Sequence, residues 1–584
     1  MCVFVWVSVL LLCPIYGWGT ALPPPCDSEI YCHGDLLRTI QTAKLFDDDK
    51  HFVDMKLRSD PDVVLSAFNN LSRGFPNAVV SPSILRDFLS TYFEEPGKEF
   101  LPWSPPDWHD KPQFLAGIGD TNLRNWAEKL HHLWKSLGRK ISEDVSTHPQ
   151  RFSLIATPHP VIVPGGRFRE LYYWDSYWVI NGLLLSEMTD TARGMIENFI
   201  HLVNRYGFIP NGGRVYYERR SQPPFLTLMV ESYYKTTKDK EFIRTSLPAL
   251  EKEYRFWMQN RSVKVEVDGR NHVLNRFDVQ AGQPRPESFT DDLELSEGLT
   301  IDAAGRLWTE LHTGAESGWD FSSRWFVDDQ GKNNGTLRDI RTSQLLPTDL
   351  NALLCRNERT LAQFYRILGN EVAAARFDVA VSVRLEAIEA VLWNEKQGVW
   401  LDYSLVTNTS HPAFYPSNLA PLWASCFSQA SMGPRALQYL QASGGVEFAN
   451  GVPTSLVDSD QQWDYPNAWP PLQHMLIEGL SSQPSDEAKK LAFNLAQNWI
   501  RTNWLAYNKY DAMFEKYSVN GDGKPGGGGE YEVQLGFGWT NGVALQLLAQ
   551  YGDRLTSSSG SDSSPLSFSL HIGVLLLTPA LYLF

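Results

Sequence analysis

The sequence predicts an all-α domain, and two observations carry that expectation. Apolar residues recur at helical spacing along most of the chain, and period-two alternation is confined to short pieces such as Lys264 to Val267. In chain order, Trp126, Leu130, Leu133, Trp134 and Leu137 share one helical face, and further helices are expected over roughly 191 to 205, 225 to 236 and 240 to 258. Phe364, Leu368, Val372 and Phe377 read as another such face. Helical stretches over 375 to 393, 485 to 503 and 540 to 551 follow. Between them lie segments rich in Gly, Pro, Asn and Trp that cannot continue a helix and must form loops. Loops at one end of a rigid scaffold are where binding groups collect. A generic helical bundle or solenoid would satisfy the same periodicity.

The 584 residues contain no Gly/Ser/Pro-rich or highly charged linker between positions 30 and 550, so one large domain is expected, and 43% hydrophobic content is ample for its core. The formal charge of -15 excludes a nucleic-acid partner, whose affinity would come from Lys and Arg neutralising phosphates. No CxxC or His-x-x-x-His pattern indicates a metal site or a redox dithiol.

Both ends read as processing signals. Val3 to about Tyr16 is an apolar run followed by small residues at Gly17, Gly19, Thr20 and Ala21, as expected of a secretory signal peptide spanning residues 1–20. Ser557 to Ser561 are small, a short polar spacer runs to Pro565, and Leu566 to Phe584 is apolar to the last residue with no basic residue after it. That pattern predicts a GPI-attachment signal over 557–584 that is removed, with Ser557 as the anchor site, rather than a retained membrane helix. Residues 21–556 then form the mature domain, displayed on the extracellular face of the plasma membrane; a homodimer is compatible with this. N-glycosylation acceptors at Asn70, Asn260, Asn334 and Asn408 agree with secretion. Cys26 and Cys32 are close enough to staple the N-terminal loop, while Cys355 and Cys426 are either paired or buried thiols.

Four segments concentrate charge and aromatic rings. The first runs Pro164-Gly165-Gly166-Arg167-Phe168-Arg169-Glu170-Leu171-Tyr172-Tyr173-Trp174-Asp175-Ser176-Tyr177. The second is Glu316-Ser317-Gly318-Trp319-Asp320-Phe321-Ser322-Ser323-Arg324-Trp325, and the third Gln462-Trp463-Asp464-Tyr465-Pro466-Asn467-Ala468-Trp469-Pro470. The fourth is a glycine tract, Gly526 to Gly529, with Glu530 and Tyr531, leading into Gly536-Phe537-Gly538-Trp539-Thr540-Asn541-Gly542. Fixed charged hydrogen-bond partners beside flat rings suit a sugar, whose edge is hydroxylated and whose faces are apolar. The glycine tract lacks the GxxxxGK[ST] pattern of a phosphate cradle and reads as a lid over the sugar.

The order and content of these four segments resemble the trehalases, glycoside hydrolases that split the α,α-1,1 bond of trehalose. One departure is Ala468, where the family usually has glycine. The resemblance implies an (α/α)6 toroid with the sugar site at the mouth of its inner ring, trehalose as substrate, inversion, and no metal or organic cofactor. Carried over position by position, it implies Asp320 as general acid and Arg167, Trp174, Asp175, Asn211, Arg220, Ser221, Gln222, Arg285, Pro286, Glu287, Gly318 and Glu530 as substrate-binding residues. Gln462, Trp463 and Asp464 would line or support the same pocket.

The chemistry agrees with this reading. Cleaving a glycosidic bond with inversion needs one carboxyl to protonate the bridge and a second to activate water. Asp320 follows Gly318 and Trp319, and apolar walls raise a carboxyl pKa. Glu515, in Phe514-Glu515-Lys516-Tyr517, is taken as the base because the neighbouring cation favours an ionised carboxyl, with Glu530 as its rival. The alternatives are another helical-toroid α-glucosidase and a cell-surface sugar receptor that lacks catalysis.

Overall fold

In the computed structural model the described residues are 22–75 and 80–558. The expected signal peptide, and the expected GPI signal beyond Ser558, lie outside them.

Twelve helices build the main body. In chain order they are α1 (Thr121–Leu137), α2 (Asp175–Leu185), α3 (Thr189–Tyr206), α4 (Leu226–Thr237), α5 (Lys240–Asn260), α6 (Thr348–Ile367), α7 (Glu371–Ala387), α8 (Ala420–Ala424), α9 (Met432–Ala442), α10 (Pro470–Ser481), α11 (Asp486–Tyr510) and α12 (Gly538–Tyr551). Contacts run α2 to α4, α4 to α6, α6 to α8, α8 to α10, α10 to α12 and α12 back to α2, which closes a ring of six. The remaining six alternate with them in sequence, and of these α1, α3, α5, α7 and α11 pack against ring helices from outside. The fold is therefore a helical toroid of two layers, all-α as the periodicity predicts and toroidal as the resemblance to the trehalases implies.

The two layers differ in composition for a simple reason. Outer helices have one wet side and show the expected amphipathic spacing: in α1, Trp126, Leu130, Trp134 and Leu137 are buried and Leu133 is partly so. Inner helices touch protein on every side, so α2 reads DSYWVINGLLL with nearly every residue buried, and α12 is similar. One expected stripe is corrected. Phe364 to Phe377 is not a single helical face, because Gly369 in the left-handed region (φ 76°) ends α6 and the Asn370 side chain accepts from Ala373 N–H to cap α7. Val372 consequently lies 86% exposed at the start of the new helix.

Sheets are small. The alternating piece at Lys264 forms a hairpin, Ser262–Val267 paired antiparallel with Arg270–Asn275. Residues 26 to 93 form a second apolar cluster that docks on Tyr172, Tyr216 and Tyr217. Beneath that contact is a fully buried ionic cluster: Lys50 reaches Asp54 (2.5 Å) and Glu170 (2.9 Å), and Arg214 reaches Glu170 (3.0 Å) and Glu99 (3.0 Å). The cysteine question resolves as two disulfides, Cys26–Cys32 and Cys355–Cys426. All four sequon asparagines are exposed.

Candidate active site

The four aromatic segments converge because each adjoins an end of a helix. Trp174 immediately precedes α2, the Arg220 to Gln222 stretch leads into α4, Trp463 and Trp469 lead into α10, and Glu530 to Phe537 lead into α12. The loop bearing Asp320 follows the helix Ile301–Glu316. Asp320 stands four residues past that helix's last position and caps no helix. Helix N-termini aimed at a site place partial positive charge where carboxylates gather.

Together these segments line a small cavity of about 70 Å³. Its wall includes both candidate catalytic residues, Asp320 and Glu515, and also Arg167, Trp174, Asp175, Asn211, Arg220, Gln222, Arg285, Glu287, Gly318, Trp463 and Glu530. Four residues named from the sequence stand behind the wall. Ser221 donates its N–H to Glu316 and its hydroxyl to the Ile209 carbonyl, and the Pro286 carbonyl accepts from Gln41. Asp464 is buried and accepts from Ser322 and Ser323, holding the turn just after Asp320. Gln462 donates its amide to the Asp320 carbonyl and accepts from Lys516 at 2.6 Å.

The three arginines are each fixed by carboxylates, and among the described residues none of them bonds Asp320 or Glu515. Arg167 grips Asp48 with two bonds of 2.8 and 2.7 Å. Arg220 is paired with Glu287. Arg285 bridges Asp292 (2.5 Å) and Glu530 (2.6 Å), and Ser288 also donates to Glu530. Arg220 Nε and Glu287 Oε2 are buried with no protein partner among the described residues, leaving a donor and an acceptor free for ligand hydroxyls. Planar guanidinium forks held in this way present donors at fixed angles.

Gly318 has a double requirement. It sits at φ +77°, and a Cβ there would lie 2.8 Å from Trp174 Cε2, so any side chain would push the acid loop off the tryptophan. Trp463 stacks on Trp469 with centroids 3.8 Å apart and lies nearly parallel to Trp319.

Electrostatics separate the carboxyls. Burial pushes Asp320 up to about 7, with Glu530 adding to the rise and Arg285 opposing it. Burial also raises Asp175 far above the usual range, helped by Glu515 and Asp320. Glu515 takes a hydrogen bond from the Tyr531 hydroxyl at 3.0 Å and faces Lys516 at 3.4 Å. Glu530 is already occupied by Arg285 and Ser288, which suits holding rather than proton removal. Tyr531 was missed as a site residue although it directly follows Glu530. Phe168, Tyr172, Tyr217, Trp469, Phe537 and Trp539 also line the cavity. All but Tyr217 lie in the four segments, whose aromatic density was their signal, but core and site rings look alike there.

A carboxyl pair of unlike environments in a ring-walled cavity at the ends of a helical toroid defines the class: this is a glycoside hydrolase. A trehalase family profile matches residues 44–552. Human trehalase is 52% identical over 556 residues, covering 95% of each chain, and the honeybee Apis mellifera trehalase is 47% identical over 92% of this chain and 86% of its own. Among solved structures, a neutral trehalase from Saccharomyces cerevisiae aligns with a TM-score of 0.54 at 25% identity, covering 71% of this chain and 82% of that one. The chain belongs to the trehalase family.

Proposed function

We propose that the protein hydrolyses trehalose to two glucose molecules with inversion. The observation that carries this reading is the pairing of Asp320, pushed up to about 7 by burial, with Glu515 on the wall of one aromatic-lined cavity. Asp320 gives its proton to the bridging oxygen as the C1–O bond breaks. Glu515 takes a proton from the water whose oxygen bonds C1 from the opposite face. The proton lost by water balances the one donated, so the pair is reset by a single exchange with solvent. Arg220, Arg285 and Glu287 hold hydroxyls, and the tryptophans cover the sugar faces. A proton NMR time course tests all of it. Trehalose is expected to give α- and β-glucose in equal initial amounts, with maltose and sucrose left unchanged; two α anomers, or cleavage of the other disaccharides at similar rates, would refute the assignment.

The same proposal places the protein on the outer face of the plasma membrane. Support comes from the apolar N-terminal run, the four exposed sequons and the small-residue and apolar pattern after position 556. Ser557 lies just past α12, its N–H and hydroxyl held by Asp120, so an anchor there would leave the toroid intact. Phosphatidylinositol-specific phospholipase C is expected to release most of the activity from intact expressing cells; retention of the activity on the cells would count against the lipid anchor.

A further inference from the structure

Two side chains outside the catalytic pair reach the base, and a third ties them together. The Tyr531 hydroxyl donates to Glu515 Oε1 at 3.0 Å, and the Lys516 ammonium faces Oε2 at 3.4 Å. Lys516 is itself completely buried and would be free to rotate about its four-carbon stem, but its Nζ also donates to Gln462 Oε1 at 2.6 Å and rests over the Trp469 and Tyr531 rings at 4.9 and 5.2 Å. The other end of the Gln462 amide donates to the backbone carbonyl of Asp320 and comes within 3.4 Å of the Tyr531 hydroxyl. Tyr531 is steadied from its far side by the Arg167 guanidinium, 4.8 Å above its ring, which Asp48 anchors.

We propose that Tyr531 and Gln462 are positioning residues for the hydrolytic base: Tyr531 and Lys516 hold one oxygen each of the Glu515 carboxylate, and Gln462, gripping Lys516 and the Asp320 carbonyl together, keeps the acid-bearing and base-bearing segments in register. This deepens the trehalose-hydrolysis reading and rests on Glu515 being the base. The physical need is plain. Acid and base come from loops far apart in sequence, and a misplacement of about 1 Å in such a pair costs on the order of a hundredfold in rate. A glutamine suits the task because its amide is both donor and acceptor at fixed spacing, so one side chain can grip a carbonyl and an ammonium. The other charged or titratable groups facing this corner are Asp320 and Asp175 across the cavity, Glu532 beside Lys516, and Arg167 over the Tyr531 ring.

The test compares Tyr531→Phe, Gln462→Met and Glu515→Ala in the full chain, with trehalose and with added azide. Tyr531→Phe is expected to lower kcat about 10- to 100-fold, as for loss of a hydrogen bond to a charged group, with KM changed less than about twofold. Gln462→Met should do the same and, if it fails to fold, Tyr531→Phe alone decides. A Tyr531→Phe enzyme with parental kcat overturns the positioning role. Should Glu515→Ala retain turnover or ignore azide, the base assignment falls and the positioning role falls with it, whereas a dead, azide-rescued Glu515→Ala beside an unaffected Tyr531→Phe removes the positioning role alone.

Discussion

Replacing Asp320 by Asn is expected to reduce kcat on trehalose by about 10³-fold or more, near the upper range for loss of a general acid, while KM changes little. The amide keeps the size of the carboxyl and loses its transferable proton. In the parent enzyme the acid must be protonated, and burial with the nearby Glu530 charge puts its midpoint at about 7. The kcat/KM profile should therefore fall about tenfold per unit on the alkaline side, starting near pH 7, and this limb should vanish in the Asn variant's residual activity. Stability falls with rising pH as activity does, but removing the charge affects the two oppositely. A carboxyl whose folded midpoint lies above its unfolded value of 3.8 is ionised more readily in the unfolded chain, so it destabilises the fold increasingly from pH 4 upward and fully above about 7. Asp320→Asn is accordingly expected to melt higher than the parent at pH 8 and equally at pH 4 by calorimetry. Equal melting at both pH values together with an unchanged alkaline limb would remove Asp320 from the acid role.

Replacing Glu515 by Ala is expected to cost about 10³-fold in kcat, and azide should restore part of the loss by attacking C1 in place of activated water. The product is β-glucosyl azide: the C1–O bond breaks, a C1–N bond forms, and Asp320 still supplies the proton to the departing glucose. Glu530→Ala should behave differently, raising KM strongly and showing no response to azide, because Glu530 is engaged by Arg285 and Ser288 and not by a mobile proton. Azide rescue of the Glu530 variant, with none for Glu515, would exchange their roles.

How much could be read in the sequence followed the physics of each layer. The outer helices α3 and α5 have one wet side, and their expected bounds, 191 to 205 and 240 to 258, fall close to those observed, as do those of the inner helices α4 and α12. The inner helices α2, α8 and α10 carry no polar face, so no period marked them, and they were absorbed into loops or passed over. The stripe from Phe364 to Phe377 misled because its spacing continues across a helix break that only Gly369 and Asn370 betray. In the site, charged residues were legible: Arg167 and Asp320 from the four segments, and Arg220, Arg285 and Glu515 from outside them, reach one cavity. What could not be read was which neighbours turn away from it. Ser221 and Pro286 lie next to lining residues in the chain, yet their polar atoms are spent on the backbone and on Gln41. Asp48, which anchors Arg167, comes from the N-terminal cluster and had no motif to announce it.

That last tie gives the first hundred residues a part in recognition although they contribute no ring helix. A shortened form beginning at Trp103 would keep all twelve helices of the toroid. It would also strip Arg167 of its counter-charge and leave Glu170 and Arg214 facing bare solvent where Lys50, Asp54 and Glu99 had been. Such a fragment could hold its shape at the rim opposite and still present trehalose with a loosened doorway, so any minimal catalytic unit cut from this chain has to begin before Asp48.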